Sequence, residues 1–234
     1  LKSIGNVAKY TLLAVWILSI GVLVALGINQ AKDVAVSSKT YERKTLNINP
    51  TDTLFVKFRS NDYYAKHNKD IGGFCVVEDT VSHKFLYSNN ITIEVMSTDE
   101  KLPYIQIEKS AYGKSTVDAK KRAENIDFKY KIEGNKLVFD DYFLTNIENK
   151  FRDQEVKLFL YLPEGTLIQP DESMEDYDDS DNSFFNMHYS SDNYVYKVKN
   201  NKVMCLNCPA NENEWNDVDY ENVTENVDAD SLDI

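Results

Sequence analysis

The feature that most constrains this chain is an apolar segment near its start. Residues 10–28 run for 19 positions without a charged side chain. A helix of that length spans roughly 28 Å, which matches the hydrocarbon core of a bilayer. Because backbone polar groups in lipid must pair within the segment, one such stretch has to be helical. We predict a single transmembrane helix from Tyr10 to Ile28, after a flank at residues 1–9; a signal peptide or a buried core helix are the alternatives.

Charges on the two flanks of this segment leave its orientation open. Lys2 and Lys9 precede it, and four basic residues follow it: Lys32, Lys39, Arg43 and Lys44. The positive-inside rule places the second flank in the cytoplasm, but further spans upstream would weaken that inference. Since the first residue is Leu1 rather than Met, we expect a piece of a longer protein with domains missing upstream.

Beyond residue 40 the apolar period changes to two, which is typical of half-buried strands. Turn sequences such as Glu133-Gly-Asn135 separate about ten such runs. The pattern predicts an all-β domain at residues 41–208, built from stacked short strands as a solenoid or a sandwich, behind a linker at residues 29–40. The alternating apolar residues include Leu54, Val56, Phe58, Ile91, Ile93, Val95, Phe128, Tyr130, Ile132, Val156, Leu158, Leu160, Leu162, Tyr196 and Val198.

One stretch departs from the strand pattern, from Ser115 to Asn125. Ser115 followed by Asp118 is typical of a capping box, and the Ala-rich charged run behind it suits about two turns of helix. Its basic cluster Lys120-Lys121-Arg122 could contact a phosphate, but a solvated helix face explains it as well. The sequence predicts one short surface helix here.

Negative charge is concentrated at one end of the chain. Residues 1–169 hold 23 basic and 21 acidic side chains, whereas residues 170–234 hold 3 and 17. Such a field disfavours nucleic acid as a partner. Residues 209–234, which we call the acidic segment, contain nine acidic residues and no basic one. We predict that this segment is a disordered acidic tail.

A second acidic stretch, residues 171–181, carries seven carboxylates among eleven residues. We call it the acidic loop. Hard cations such as Ca²⁺ need several oxygen ligands on one constrained loop. The EF-hand spacing fails, since the sixth position counted from Asp179 is Phe184 and the twelfth is Ser190. A solvated loop is the alternative to a weak metal site, whose candidate ligands are Asp176, Asp178, Asp179 and Asp181.

Three cysteines are present, and Cys205 and Cys208 form one C-x-x-C pair. A structural zinc site needs about four ligands, and no second pair accompanies this one. The pair follows a strand-like run rather than opening a helix, which argues against an activated redox thiol. A local disulfide and two free thiols remain as alternatives, and no metal or other cofactor is expected.

Motifs for catalysis are weak throughout. Gly113-Lys114 resembles the end of a phosphate-binding loop, but Glu108 stands where that loop needs its first glycine, so no nucleotide is expected. Asp140 and Asp141 are adjacent, and in a strand they would point to opposite faces. The three histidines, His67, His83 and His188, lie in unrelated contexts. We therefore predict that the chain is not an enzyme and has no catalytic residue.

Several dispersed elements together resemble the C-terminal region of PspC-like (phage-shock-protein-C-like) membrane proteins of the Bacteroidetes type. These are the membrane helix, Tyr41-Glu-Arg-Lys-Thr-Leu46, Ala111-Tyr-Gly113, Ala119-Lys-Lys-Arg-Ala123, Gly134-Asn-Lys-Leu-Val-Phe139, Leu160-Tyr-Leu-Pro-Glu-Gly-Thr166 and Cys205-Leu-Asn-Cys208. The resemblance implies a toastrack or adhesin-head-like β domain at the bacterial cytoplasmic (inner) membrane, and it supplies no catalytic residues. The PspC domain itself is absent from this sequence.

On these grounds we expect a membrane-anchored interaction, assembly or sensing module in the envelope stress response. Its partners would be the lipid bilayer and either another protein or further copies of itself, and the side of the membrane stays open. Two alternatives remain. One is the extracytoplasmic sensor domain of a transmembrane regulator such as an anti-sigma factor. The other is a periplasmic glycan-binding domain, which would show exposed tyrosine and tryptophan together on a concave patch.

Overall fold

A computed structural model describes residues 5–48, 52–65, 73–79, 81–180, 185–189 and 192–209 of the chain. Helix α1, Asn6–Lys32, contains the predicted membrane segment and extends it at both ends. Its stretch Asn6–Ile28 is long and apolar enough to cross a membrane, and none of it is buried against the rest of the chain. An apolar helix without protein packing suits a lipid environment, which supports a single-span membrane protein.

Behind this helix the described residues form twelve strands and two short helices. The strands are β1 Val36–Thr45, β2 Thr53–Arg59, β3 Phe74–Glu78, β4 Lys84–Ser88, β5 Ile91–Thr98, β6 Tyr104–Gly113, β7 Asp127–Glu133, β8 Lys136–Asn146, β9 Glu155–Pro163, β10 Leu167–Pro170, β11 Tyr196–Lys199 and β12 Lys202–Cys205. The helices are α2 Asp62–Ala65 and α3 Thr116–Glu124, and single 3-10 turns lie at Ile147–Asn149 and Glu172–Met174.

These strands form two sheets. The first has the order β1-β6-β9-β5, and only its β5–β9 pair is parallel. The second runs β12-β11-β10-β2-β8-β4-β3, with β7 along the other side of β8. Strands β2 and β4 share one edge of β8, β2 parallel over its first half and β4 antiparallel over its second. The all-β prediction with one N-terminal helix is confirmed.

The core lies between the two sheets. It contains alternate residues of β9, namely Val156, Leu158, Leu160 and Leu162, each at most 1% exposed. The facing sheet contributes Leu54, Val56, Leu137 and Phe139 to the same cluster. Of the two arrangements that the sequence leaves open, this is the sandwich, since two inner faces enclose one core.

The connection between helix and domain is shorter than the predicted linker at residues 29–40. Helix α1 continues to Lys32, and β1 begins at Val36, so that only three residues separate them. Strand β1 carries almost no apolar side chain, because it lies at the edge of its sheet, and this hid it from the alternation pattern. The predicted acidic tail at residues 209–234 lies outside the described residues except for Pro209.

Candidate interaction surface

The membrane helix passes into the β domain without a free linker. The Val34 N–H donates to the Ala31 carbonyl at 3.3 Å, and the Ala35 N–H donates to the Lys32 carbonyl at 3.4 Å. These bonds continue the last helical turn to the residue before β1 and satisfy carbonyls that a helix end leaves open. The connection is therefore built as an ordered turn.

A charged contact connects this turn to the residues that precede β9 in the first sheet. The Arg152 guanidinium donates to the Asp33 carboxylate at 2.9 Å, and Lys150 Nζ lies 4.0 Å from the same carboxylate. Arg152 is 13% exposed in its side chain, and its carbonyl accepts the Tyr112 N–H at 2.9 Å. A charge-assisted bond on a nearly buried arginine orients the end of α1 against the β6 and β9 ends. The contact is not predictable from the sequence, because its two residues are 119 positions apart and no local pattern joins them.

From this junction β1 runs the full length of the sheet as its outer strand. All ten of its residues pair with β6, from Val36 opposite Gly113 to Thr45 opposite Tyr104. No other strand among the described residues pairs with its second side. That side presents a row of backbone donors and acceptors to which another extended chain can pair.

Side chains of β1 are held by residues of β6 and its neighbours. Lys39 Nζ lies 2.6 Å from Glu108, which is 5% exposed, and Tyr41 also bonds this carboxylate. The bond to Glu108 raises the pKa of both Lys39 and Tyr41. Arg43 pairs with Glu100, and its guanidinium lies 3.7 Å from the centre of the Tyr104 ring. The edge strand is thus rigid and charged; such charges also oppose unspecific edge-to-edge aggregation.

The acidic loop has a structural role along the opposite edge strand, β5. The Ile93 N–H donates to the Tyr177 carbonyl at 2.8 Å, and the Asp179 N–H donates to the Ile93 carbonyl at 2.9 Å. The Val95 N–H donates to Ser180 Oγ at 2.9 Å. The loop therefore covers the β5 edge, whereas β1 has no second strand partner among the described residues.

The three described candidate metal ligands of this loop, Asp176, Asp178 and Asp179, are not grouped to hold a metal ion. Asp178 accepts hydrogen bonds from the Tyr189 hydroxyl and the Ser180 N–H. Asp176 and Asp179 are exposed. Asp181 lies outside the described residues, and within the part of the chain that is described no three His, Cys, Asp or Glu side chains are grouped to hold a metal ion.

Cys205 and Cys208 form a disulfide that closes the turn after β12. The Cys208 N–H also donates to Cys205 Sγ at 3.1 Å. Cys75 is a free, buried thiol, and burial raises its pKa. The C-x-x-C pair is therefore a local disulfide at the end of the edge strand β12.

The histidines considered for catalysis are dispersed. His83 Nδ1 lies 3.2 Å from Asp79 Oδ2, on a side chain that is 72% exposed. His188 uses its backbone N–H, which donates to the Tyr196 hydroxyl at 2.8 Å. His67 lies outside the described residues. Neither described histidine faces a hydroxyl or thiol that it could activate.

Asp140 and Asp141 lie at a β-bulge, where three residues of β8 face the single residue Lys129 of β7. Asp140 points to Arg59 and pairs with it beside a surface hollow of about 460 Å³. Burial, aided by the charge of Asp140, raises the pKa of Asp141 to about 6. A half-buried acid of this kind makes the stability of the domain depend on pH. Ser60 lines the hollow, but among the described residues no base is bonded to it, so the hollow lacks a nucleophile–base pair.

Gly113, considered above for a phosphate loop, serves the packing of α3. A Cβ at this position would lie 2.6 Å from the Ala119 nitrogen and 2.9 Å from its Cα. The helix begins with the Asp118 N–H donating to Ser115 Oγ, as predicted, while the Asp118 carboxylate accepts the Lys114 N–H. The glycine lets α3 approach β6 directly, and Asp118 occupies the position that a phosphate would need.

A glycan site of the expected kind is not formed by the described residues. Trp16 lies in helix α1, and Trp215 lies outside the described part of the chain. Tyr104 is 9% exposed and stacks on Tyr161 with ring centroids 4.5 Å apart. Tyr41, at 61% exposure, is the open aromatic residue of the β1 edge.

Comparison with known families gives a match to a family of β domains. A family model described as the toastrack found in some PspC proteins matches residues 77–211, which is more than half of the chain. The match begins within β3, so helix α1 and strands β1 and β2 precede it. No curated protein and no solved structure matches the chain.

Proposed function

The chain belongs to the family of toastrack domains found in some PspC proteins, and on that premise we propose that it is a non-catalytic, membrane-anchored interaction and sensing module. The observation that carries the proposal is the three-residue junction between α1 and the open edge strand β1. A partner that pairs with β1 contacts an element joined directly to the membrane helix.

The contacts at the junction support a sensing role. Asp33 is bonded to Arg152, whose carbonyl in turn accepts the Tyr112 N–H beside the end of β6. A displacement of β1 or β6 therefore acts on the last turn of α1 through hydrogen bonds rather than through a loose tether. Coupling of this kind requires an element with two arrangements, and partner binding would choose between them.

We further propose that this module works at the bacterial cytoplasmic membrane in the envelope stress response. Its membership of a family found in PspC proteins and its candidate membrane span support the proposal. The partner is another protein or a second copy of the chain, paired as an added strand.

Photo-crosslinking tests the proposal in the protein's own membranes. A benzoylphenylalanine placed at Tyr41 or Lys44, on β1, should give a defined protein adduct. The same probe at Val117, which is 79% exposed on α3, is the control and should give none. Adducts that form equally at all three positions, or at none, would contradict the role of β1.

A second measurement separates sensing from assembly alone. The Arg152→Ala variant should retain the β1 adduct, because β1 is unchanged, yet lose at least about half of the response of an envelope-stress reporter, as coupling of 1–3 kcal/mol implies. A normal response together with a normal adduct would leave an assembly role and remove the sensing role.

A further inference from the structure

The outward face of the second sheet is basic, although the chain carries a formal net charge of −12. Cross-strand register places six lysines from five strands on this face. We call it the lysine face, and its lysines are Lys57, Lys131, Lys136, Lys197, Lys199 and Lys202.

Five of these lysines are available for a ligand. All except Lys202 are exposed, and none of those five forms an ion pair with another described residue. Carboxylates beside the face include Glu133, opposite Lys136 in the register, Asp171 at the end of β10, and Glu164, which accepts the Asn200 N–H between Lys199 and Lys202. Five exposed lysines against these three carboxylates leave the face with an excess of positive charge.

Apolar side chains alternate with the lysines and line a groove. In the register Phe55 lies opposite Lys136, and Val138 lies opposite Lys57. The groove has a volume of about 320 Å³, and Gln169 and Asp171 complete its rim. A ligand that suits it combines negative charge with single apolar side chains in an extended chain.

We propose that the occupant of the lysine face is the chain's own acidic segment. In an extended form of its sequence Trp215-Asn-Asp-Val-Asp-Tyr-Glu221, the side chains of Trp215, Asp217, Asp219 and Glu221 would share one side, which complements the lysines and apolar residues of the face. Every basic residue after position 170 lies on β11 or β12, at the edge where the segment leaves the domain.

Geometry permits this contact within one molecule. The path from β12 to β8 crosses four strand spacings, about 19 Å in all. The 25 residues after Pro209 reach up to about 80 Å when extended. A tether of this length gives a local concentration on the order of millimolar, so weak charge pairing suffices. The segment then shields the face from other anions, such as lipid headgroups or an acidic partner.

Tryptophan fluorescence of the full chain in neutral detergent micelles tests the proposal. Trp16 and Trp215 are the two tryptophans, so Trp16→Phe leaves Trp215 as the reporter. We expect acrylamide quenching to be at least about twofold weaker at roughly 10 mM salt than at roughly 500 mM, since salt screens exposed charges. In the Lys57→Glu/Lys197→Glu variant, quenching at low salt should rise to the high-salt value.

A matched control makes the same charge change elsewhere. Lys120→Glu/Lys121→Glu alters two exposed lysines of α3 and should leave Trp215 protected. The proposal fails if Trp215 is equally accessible at both salt concentrations, or if the control removes protection as well. It also fails if protection disappears on dilution of the protein, because the segment would then bind a second copy.

Discussion

Single residues fix several of the closest contacts in this domain, and Gly113 is the most sharply constrained. It allows the first turn of α3 to lie against the end of β6, where any side chain would meet backbone atoms. Asp141 is constrained in a different way, since its carboxyl is half-buried at a bulge beside the charged Asp140. The sequence drew attention to both residues, but the atoms that pack against them could not be predicted without the fold.

Replacement of Gly113 by alanine should destabilise the domain by about 1–3 kcal/mol, the usual cost of forcing an extra carbon into a packed site. Thermal unfolding followed by circular dichroism measures the loss. Gly21→Ala in helix α1 is the control, because its added Cβ would have nothing within 4 Å. An unchanged melting temperature for Gly113→Ala would mean that α3 does not pack this closely.

Asp141 should make the domain less stable as the pH rises. Its folded-state pKa of about 6 lies above the usual value of 3.8 for an aspartate, so the folded state binds the proton more tightly. The stabilisation is complete below about pH 4 and is lost as the pH passes through about 6, with an upper limit of about 3 kcal/mol. Asp141→Asn should flatten this dependence between about pH 4 and pH 7, whereas Asp99→Asn, at an exposed site, should preserve it.

At the scale of elements, alternation in the sequence identified strands that bury one face. Strand β9 is the clearest case, with four alternate residues in the core. The first half of strand β1, Val36–Thr40, was assigned to a linker, because an edge strand with polar residues on both sides has no alternation to detect. Strand β10 has only four residues, too few for a periodic signal. The contact between Asp33 and Arg152 could not be predicted, since these residues meet only after β1, β6 and β9 have formed the first sheet.

Loss of the Arg152 side chain should loosen the junction between α1 and β1. Arg152→Ala removes a hydrogen bond between charged groups, and we expect a loss of about 1 kcal/mol in the free energy of unfolding. Hydrogen exchange at Val34 and Ala35 should become faster. Lys129→Ala removes an exposed pair with Asp127 and should change neither quantity. Unchanged exchange in Arg152→Ala would show that the helical turn alone holds the junction.

At the scale of the whole molecule, the edges of the sandwich differ in what lies against them. The acidic loop covers β5, the disulfide closes the turn after β12, and β1 remains open along ten residues next to the membrane helix. The lysine face is a second exposed surface, and it lies on the other sheet. On the two proposals above, an added strand would pair with β1 and an anionic segment would bind the lysine face.

Hydrogen exchange of β1 tests the central claim, that a partner pairs with this edge. Backbone amides of β1 that do not bond β6 should exchange quickly in the purified chain in neutral micelles, and slowly in native membranes that hold the partner. The peptide covering α3, Thr116–Glu124, should exchange equally in both. Equal exchange of Val36–Thr45 in the two preparations would contradict the account.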